Sequence, residues 1–396
     1  MPAPSRSDLK RRRDGPAAAV TQIELFFDLV FVFALTQISH FMLERLTPVG
    51  LAQSALLFGM VWWVWIYTAW VTNWLDPERR PVRGALLALM LAGLVLSTSI
   101  PEAFGDRALP FAAAYLVMQV GRSLFALWAV RGDPALRPTF LRILFWQAIS
   151  GVFWLWGALA GPGQRLPVWS LAVAVELAAP ASGYRTPALG RSATTDWKID
   201  GGHMAERCSA FVLIALGESL TVTGTGFAGV EWTSAAAAAF AAAFAGAVAL
   251  WWIYFDTAAE NTRHAFARSE DPGRLGRSAY TYVHGAIVAG VVVTAVGWER
   301  VLAHPLAAAD PVTAAVVVGG PALYLLSNGA FRRLLAPRFA PSHLLGLVLL
   351  AACAAVSPWF SRVGLAGAVT GAVTLTAVAG SLLYARMRAR VSRSGR

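Results

Sequence analysis

Two carboxylates and a histidine interrupt a segment otherwise greasy enough for lipid: Glu24-Leu-Phe-Phe-Asp28-Leu-Val-Phe-Val-Phe-Ala-Leu-Thr-Gln-Ile-Ser-His40. An ionisable side chain at the bilayer centre costs from about 3 to over 10 kcal/mol, so such residues face a protein interior or a water-filled cavity and mark pathways for protons, ions or solutes. Glu24 has a local alternative, because Thr21-Gln22-Ile23-Glu24 is a capping-box pattern. Asp28 has no such excuse. It lies one turn deeper, about 6 Å on, and like charges at i and i+4 repel. One acid of the pair is therefore expected to be protonated, or a cation to lie between them. His40 sits about 18 Å beyond Asp28, where an interfacial anchor is a plainer reading than a proton relay.

A second polar run reads His203-Met-Ala-Glu206-Arg207, followed by Gly217-Glu218-Ser219. His203, Glu206 and Arg207 stand at i, i+3 and i+4, hence on one helical face, where a locally paired cluster at the cytoplasmic interface is expected. Glu218 lies about 16 Å beyond Arg207, near the midplane. Gly217, Gly224 and Gly226 surround it and are able to loosen or break the helix, as in transporter site helices. A buried Glu218 needs a partner, and Arg122 is one candidate.

Weaker signals have blander readings. Glu176, beside Pro180, and His284 read as satisfied packing residues. Trp62, Trp63, Trp65, Trp70 and Trp74 read as an aromatic belt. Asp256, Glu260, Arg263 and His264 read as a solvated helical extension. There is no phosphate loop, nucleophile elbow or HExxH, and the six histidines lack metal-ligand spacing. No enzyme activity, metal or cofactor is expected.

The elements that must position these residues follow from composition. The 396 residues are 57% apolar and only 14% charged, with a mean hydropathy of +0.56. Soluble domains carry about 25% charged residues, and apolar stretches of about 20 residues, each long enough to span a bilayer, recur throughout. The reading is an all-α polytopic membrane protein whose main partner is the lipid bilayer. Twelve helices are predicted near 23–42, 50–73, 83–100, 108–130, 139–160, 166–184, 203–227, 233–255, 278–298, 311–331, 342–358 and 363–385, separated by proline-containing turns. They form two six-helix halves, 23–184 and 203–385. A linker at 185–202 joins the halves, and basic tails at 1–22 and 386–396 flank them.

The net charge of +11 does not point to nucleic acid, because basic residues collect in alternate loops. Arg79, Arg80 and Arg83 mark one such loop, Arg131, Arg137 and Arg142 the next, then Arg185, Arg191 and Lys198, and so on to the C-terminus. The intervening loops hold single arginines, Arg45, Arg107, Arg165, Arg300 and Arg362. By the positive-inside rule both termini are cytoplasmic. Arg11-Arg12-Arg13 resembles a signal-peptide n-region, but Glu24 and Asp28 interrupt the apolar run and no small-residue cleavage site follows, so the first span is read as retained. Cys208 and Cys353 both fall in apolar segments, which implies no disulfide framework.

The halves echo each other. Glu24-(x)11-Thr36-Gln37 resembles Glu206-(x)11-Glu218-Ser219, and Trp62-Trp63-Val-Trp65-Ile-Tyr67…Asn73 resembles Trp251-Trp252-Ile-Tyr254…Asn261. With six spans between the copies, this describes a parallel 6+6 repeat of the kind found in transporters.

The first two motifs, Glu24 to His40 and His203 to Ser219, together with Trp252-Ile-Tyr254-Phe255, resemble those of the bacterial low-temperature-requirement A membrane proteins. The resemblance covers nearly the whole chain. It implies a multispanning inner-membrane protein associated with growth in the cold, and it supplies no biochemical activity. Phe27-Asp28-Leu-Val30-Phe31-Val-Phe-Ala34 is more remotely similar to the Phe-Ser-Asp-Gly-Val-Phe-Ala-Ile signature of lysosomal-type and bacterial potassium channels, without the glycine after the aspartate. The leading functional expectation is a secondary transporter or permease for a small solute or ion. In it Asp28 and Glu218 are the protonatable acids, and Glu24, Glu206 and Arg207 form a cytoplasmic charge network. The alternatives are a cation channel, or a non-transporting scaffold or sensor of cold adaptation.

Overall fold

The computed structural model describes residues 9–11, 19–193, 199–256, 271–335 and 339–394. Among these residues every regular element is helical, and β-pairing is confined to isolated bridges such as Lys10 with Leu75. The helices are α1 (Gln22–Glu44), α2 (Pro48–Trp74), α3 (Arg80–Glu102), α4 (Ala108–Ala129), α5 (Arg137–Leu159) and α6 (Pro162–Ala181). They continue as α7 (Gly201–Ala228), α8 (Ser234–Phe255), α9 (Gly273–Ala303), α10 (Pro311–Leu335), α11 (Pro341–Trp359) and α12 (Arg362–Ser394). Each predicted segment is a helix, with ends shifted by a turn or so. Eleven are long and apolar enough to cross a membrane, and α6 is the exception. Gln164, Arg165, Pro167, Glu176 and Pro180 dilute its apolar run. Glu260, Arg263 and His264, together with Asn261 of the echo, Lys198 and most of the basic tails, lie outside the described residues.

The outward faces suit lipid rather than water. In α1, Phe26 and Leu29 are more than half exposed, while Glu24 and Asp28 on the opposite side are fully buried. This inverted amphipathy is what hydrocarbon imposes, since a carboxylate facing lipid has no solvation.

The chain divides into two compact units, Met1–Arg207 with Ser269–Arg277 and Cys208–Arg268 with Ser278–Arg396. The boundary falls inside α7, between Arg207 and Cys208. In the first unit α2 is the central helix, packed by α1, α6 and the π-helical turn of α4 at Val117–Gly121. That position buries Trp62, Trp63, Trp65, Trp70 and Trp74, none more than 6% exposed. The tryptophans are core, not an interfacial belt. An outward-facing belt is impossible on the stretch 60–74, which is buried except for the half-buried Tyr67. Around α2, α1 packs on α3, α3 on α4, α4 on α5 and α5 on α6. Gly157 makes the last contact close, because a Cβ there would overlap the Trp169 ring.

In the second unit α9 and α10 pack most intimately, α8 and α11 lie on α12, and α10 packs on α11. Small residues permit that approach: a Cβ on Gly290 would lie 2.7 Å from the Tyr324 nitrogen, and one on Gly320 2.5 Å from the Thr294 nitrogen. Here Trp251 and Trp252 are 40% and 44% exposed, unlike their echoes in α2. His284 is the satisfied packing residue expected of it, held by the Tyr254 hydroxyl and the Ala279 carbonyl, each at 2.8 Å. Asp256 accepts from Ser381 Oγ at 2.5 Å. α7 runs unbroken, so Gly217, Gly224 and Gly226 do not open it. In an apolar setting each lost backbone hydrogen bond is expensive, and an intact helix keeps them all.

Candidate functional site

Two helix starts face each other in the first unit. Thr21 precedes α1, and Glu24, its third residue, accepts from the Thr21 backbone N–H (3.0 Å) and hydroxyl (2.9 Å). Asp200 precedes α7 and accepts at 3.1 Å from the backbone N–H of His203, likewise the third residue. One turn further on stand Asp28 and Arg207. The result is a two-rung ladder across the pair. His203 Nε2 lies 2.9 Å from Glu24 Oε1, and Arg207 Nη2 donates to Asp28 Oδ1 at 2.7 Å. All four side chains are fully buried. His203 and Arg207 therefore pair with α1 rather than within their own helix, which corrects the locally paired interfacial cluster. Glu206 does not join them. It is exposed and accepts from the Val20 N–H at 3.3 Å, because i+3 and i+4 positions diverge enough on α7 for only His203 and Arg207 to point inward.

The tautomer of His203 follows from its neighbours. Asn73, at the end of α2, is fixed by the Asp200 backbone, accepting from its N–H at 3.0 Å and donating to its carbonyl at 2.9 Å. That orientation aims the Asn73 amide N–H at His203 Nδ1, 3.2 Å away. Nδ1 is thus assigned as the acceptor and Nε2 as the donor to Glu24, so Arg11 Nη2, 3.1 Å from Nε2, directs its hydrogen to Glu24 and not to the ring. Arg11 completes the first rung from the N-terminal segment. Its Nη2 donates to Glu24 Oε2 at 2.8 Å and its Nε to the Thr72 carbonyl at 2.7 Å.

The two acids end in different states of satisfaction. Glu24 accepts from Thr21, Arg11 and His203 across both oxygens. Asp28 receives both its donors, Arg207 and the Trp65 indole N–H (2.7 Å), on Oδ1 alone. Asp28 Oδ2 has no partner, nor do Arg207 Nε and Nη1. Nη1 stands 3.8 Å from Glu24 Oε1, and the guanidinium lies over the Trp65 ring at 5.6 Å. With His203 neutral, two carboxylates face two guanidiniums. The balanced charge leaves nothing to attract a metal cation, and the expected like-charge repulsion along α1 is relieved by arginine.

A second buried network occupies α4, α5 and α6. Glu176 accepts from Ser150 Oγ (3.0 Å), Trp154 Nε1 (2.9 Å) and the Tyr115 hydroxyl. Gln119 donates to that hydroxyl at 3.0 Å and accepts from Arg122. Glu176 is a satisfied packing residue, as the sequence suggested, and also the hub of a network. Arg122 makes its bonds here and to the Val64 carbonyl at 3.1 Å, which corrects its assignment to Glu218. Glu218 is half-buried on α7 in the second unit, and His40 is exposed near the far end of α1.

Sequence reasoning missed Arg11, Trp65, Asn73 and Asp200. Asp200-Gly-Gly-His203 carries a helix-start signal that was available. The other three look like one more arginine, one more tryptophan and a helix-end asparagine.

A family model described as bacterial low temperature requirement A protein matches residues 19–379, which includes both strands of the ladder. An uncharacterized protein of Rhizobium meliloti is 40% identical over 355 residues, covering 89% of this chain and 86% of the relative. No solved structure matches.

Proposed function

The chain belongs to the bacterial low temperature requirement A family, and from that premise we propose a secondary transporter or permease of the bacterial inner membrane with Asp28 as its protonatable centre. One observation carries the reading: a fully buried carboxylate holds both its donors on one oxygen and leaves the other bare. A proton arriving at Oδ2 neutralises the charge that holds Arg207. The guanidinium then has Glu24 Oε1 within a short shift. Exchange of Arg207 between Asp28 and Glu24 is a two-state element that a proton gradient can bias. Glu24 is the fixed anion of the pair, held by Arg11 and Thr21 on Oε2, and its Oε1 accepts from His203 alone and so has room for Arg207. The arginine-rich alternate loops support cytoplasmic termini, which puts the ladder at the cytoplasmic ends of α1 and α7. The sequence echo supports a parallel repeat, with Glu218 as the acid of the second copy. The neutral charge balance speaks against a cation pathway at this cluster.

The test uses the full chain in proteoliposomes loaded with a pH-indicator dye and offered a panel of small solutes. At least one solute is expected to drive proton movement that Asp28→Asn abolishes. Proton movement absent across the panel, or unchanged in Asp28→Asn, overturns the reading.

Complete burial of Glu24, Asp28, His203 and Arg207 favours a second reading, a non-transporting sensor or scaffold. It predicts no solute-linked proton movement while growth in the cold still depends on the chain.

A further inference from the structure

Arg122 takes no part in the ladder, and no carboxylate touches it: the guanidinium lies over the Tyr67 ring at 5.3 Å. The residue is 2% exposed. Its Nη1 donates to the Val64 carbonyl and to Thr68 Oγ1 (3.3 Å), its Nη2 donates to Gln119 Oε1, and its Nε has no partner. All these acceptors are neutral. None of the ion pairs among the described residues includes Arg122. Glu176 is three hydrogen bonds away through Gln119 and Tyr115, with both oxygens already engaged. A guanidinium is always charged, and a buried charge without a counter-ion is strongly unfavourable.

Arg122 also lines a cavity of about 270 Å³ between α2, α3 and α4. Thr68 lies beside it, and Val82, Leu86 and Phe125 form an apolar wall. Gly121, from the π-helical turn, faces the open space, since a Cβ there would meet nothing within 4 Å. At about 30 Å³ per water-sized group, the cavity holds roughly nine heavy atoms. A buried cation at one end of an apolar slot of that size calls for a small anion on an apolar stem.

We propose that this cavity binds a single-chain fatty acid, with its carboxylate on the unpartnered Nε of Arg122 and about six carbons along the apolar wall. Arg122 lies seven residues inside the end of α4, about 10 Å along the helix. A bare carboxylate reaches that depth, whereas a phospholipid head with its glycerol would have to leave the interface.

The experiment measures equilibrium binding of radiolabelled octanoate to the full chain in phosphatidylcholine nanodiscs, against empty discs. The expected result is saturable binding at one site per chain. Arg122→Gln weakens it roughly ten- to hundredfold, Gly121→Leu blocks it with Arg122 intact, and methyl octanoate does not compete. Gly121→Leu decides the matter if Arg122→Gln does not fold. Binding no greater than in empty discs, competition by the ester, unchanged binding in Gly121→Leu, or a co-purifying phospholipid that octanoate cannot displace would each overturn the proposal.

Discussion

Glu176 and Asp28 are both buried acids of the first unit, and each accepts from a tryptophan N–H, yet their surroundings differ in kind. Glu176 has three donors spread over both oxygens, all from neutral side chains. Asp28 has two donors crowded on one oxygen, one of them a guanidinium with spare N–H groups. The first arrangement has nothing left to bind and nothing to gain by moving. The second holds unmet capacity on both partners, which is the condition for a change of state. Burial and charge alone do not separate the two acids, but the count of satisfied atoms does.

Substitutions sharpen that contrast. The largest stability loss is expected from Glu176→Ala, which leaves Tyr115, Ser150 and Trp154 donors unpaired in a dry core. A loss of about 3–5 kcal/mol should appear in thermal unfolding of the purified protein. Arg207→Met comes next, at about 3 kcal/mol, because it strands Asp28 as an uncompensated charge. Adding Asp28→Asn to Arg207→Met should restore most of that loss in a double-mutant cycle, and an additive result would break the pairing. Isosteric neutral variants form the third pair. Glu176→Gln is expected to cost about 1–3 kcal/mol, since its amide N–H must face one of three donors. Asp28→Asn should cost more, about 2–3 kcal/mol, because the buried Arg207 guanidinium loses its close carboxylate and keeps only Glu24, 3.8 Å away. Reversal of that order would contradict the comparison.

The smallest effect concerns pH and lies outside the spans. Burial pushes the Asp133 carboxyl up, but Lys10 and the Leu136 and Ala135 N–H groups outweigh it and hold the pKa below 3.8. A depressed folded-state value contributes stability that is present above the unfolded pKa of about 3.9 and is lost as pH falls through the folded one. Unfolding temperature should therefore fall below about pH 4, slightly less steeply in Asp133→Asn. With Lys10 38% exposed, the difference should stay well under about 1 kcal/mol.

The helices were legible because apolar runs and prolines are local signals, and the same holds for the Thr21–Glu24 start and for Asp28 as an acid without a local role. The tryptophans of α2 were misread because composition cannot tell a core helix from one that meets an interface. The partners of Asp28 and Glu24 stayed hidden for a different reason. Arg207 and His203 are each 179 residues away from them, so no spacing within a helix announces the ladder. Arg11 was invisible among the basic residues that set topology, although its side chain is only 8% exposed.

The most direct measurement compares Asp28→Asn with Glu176→Gln in one assay, solute-driven proton movement into dye-loaded proteoliposomes, each normalised to folded protein. The account predicts that, per folded molecule, Asp28→Asn loses the movement and Glu176→Gln retains it. Proton movement that survives Asp28→Asn, or fails equally in both variants, would contradict it.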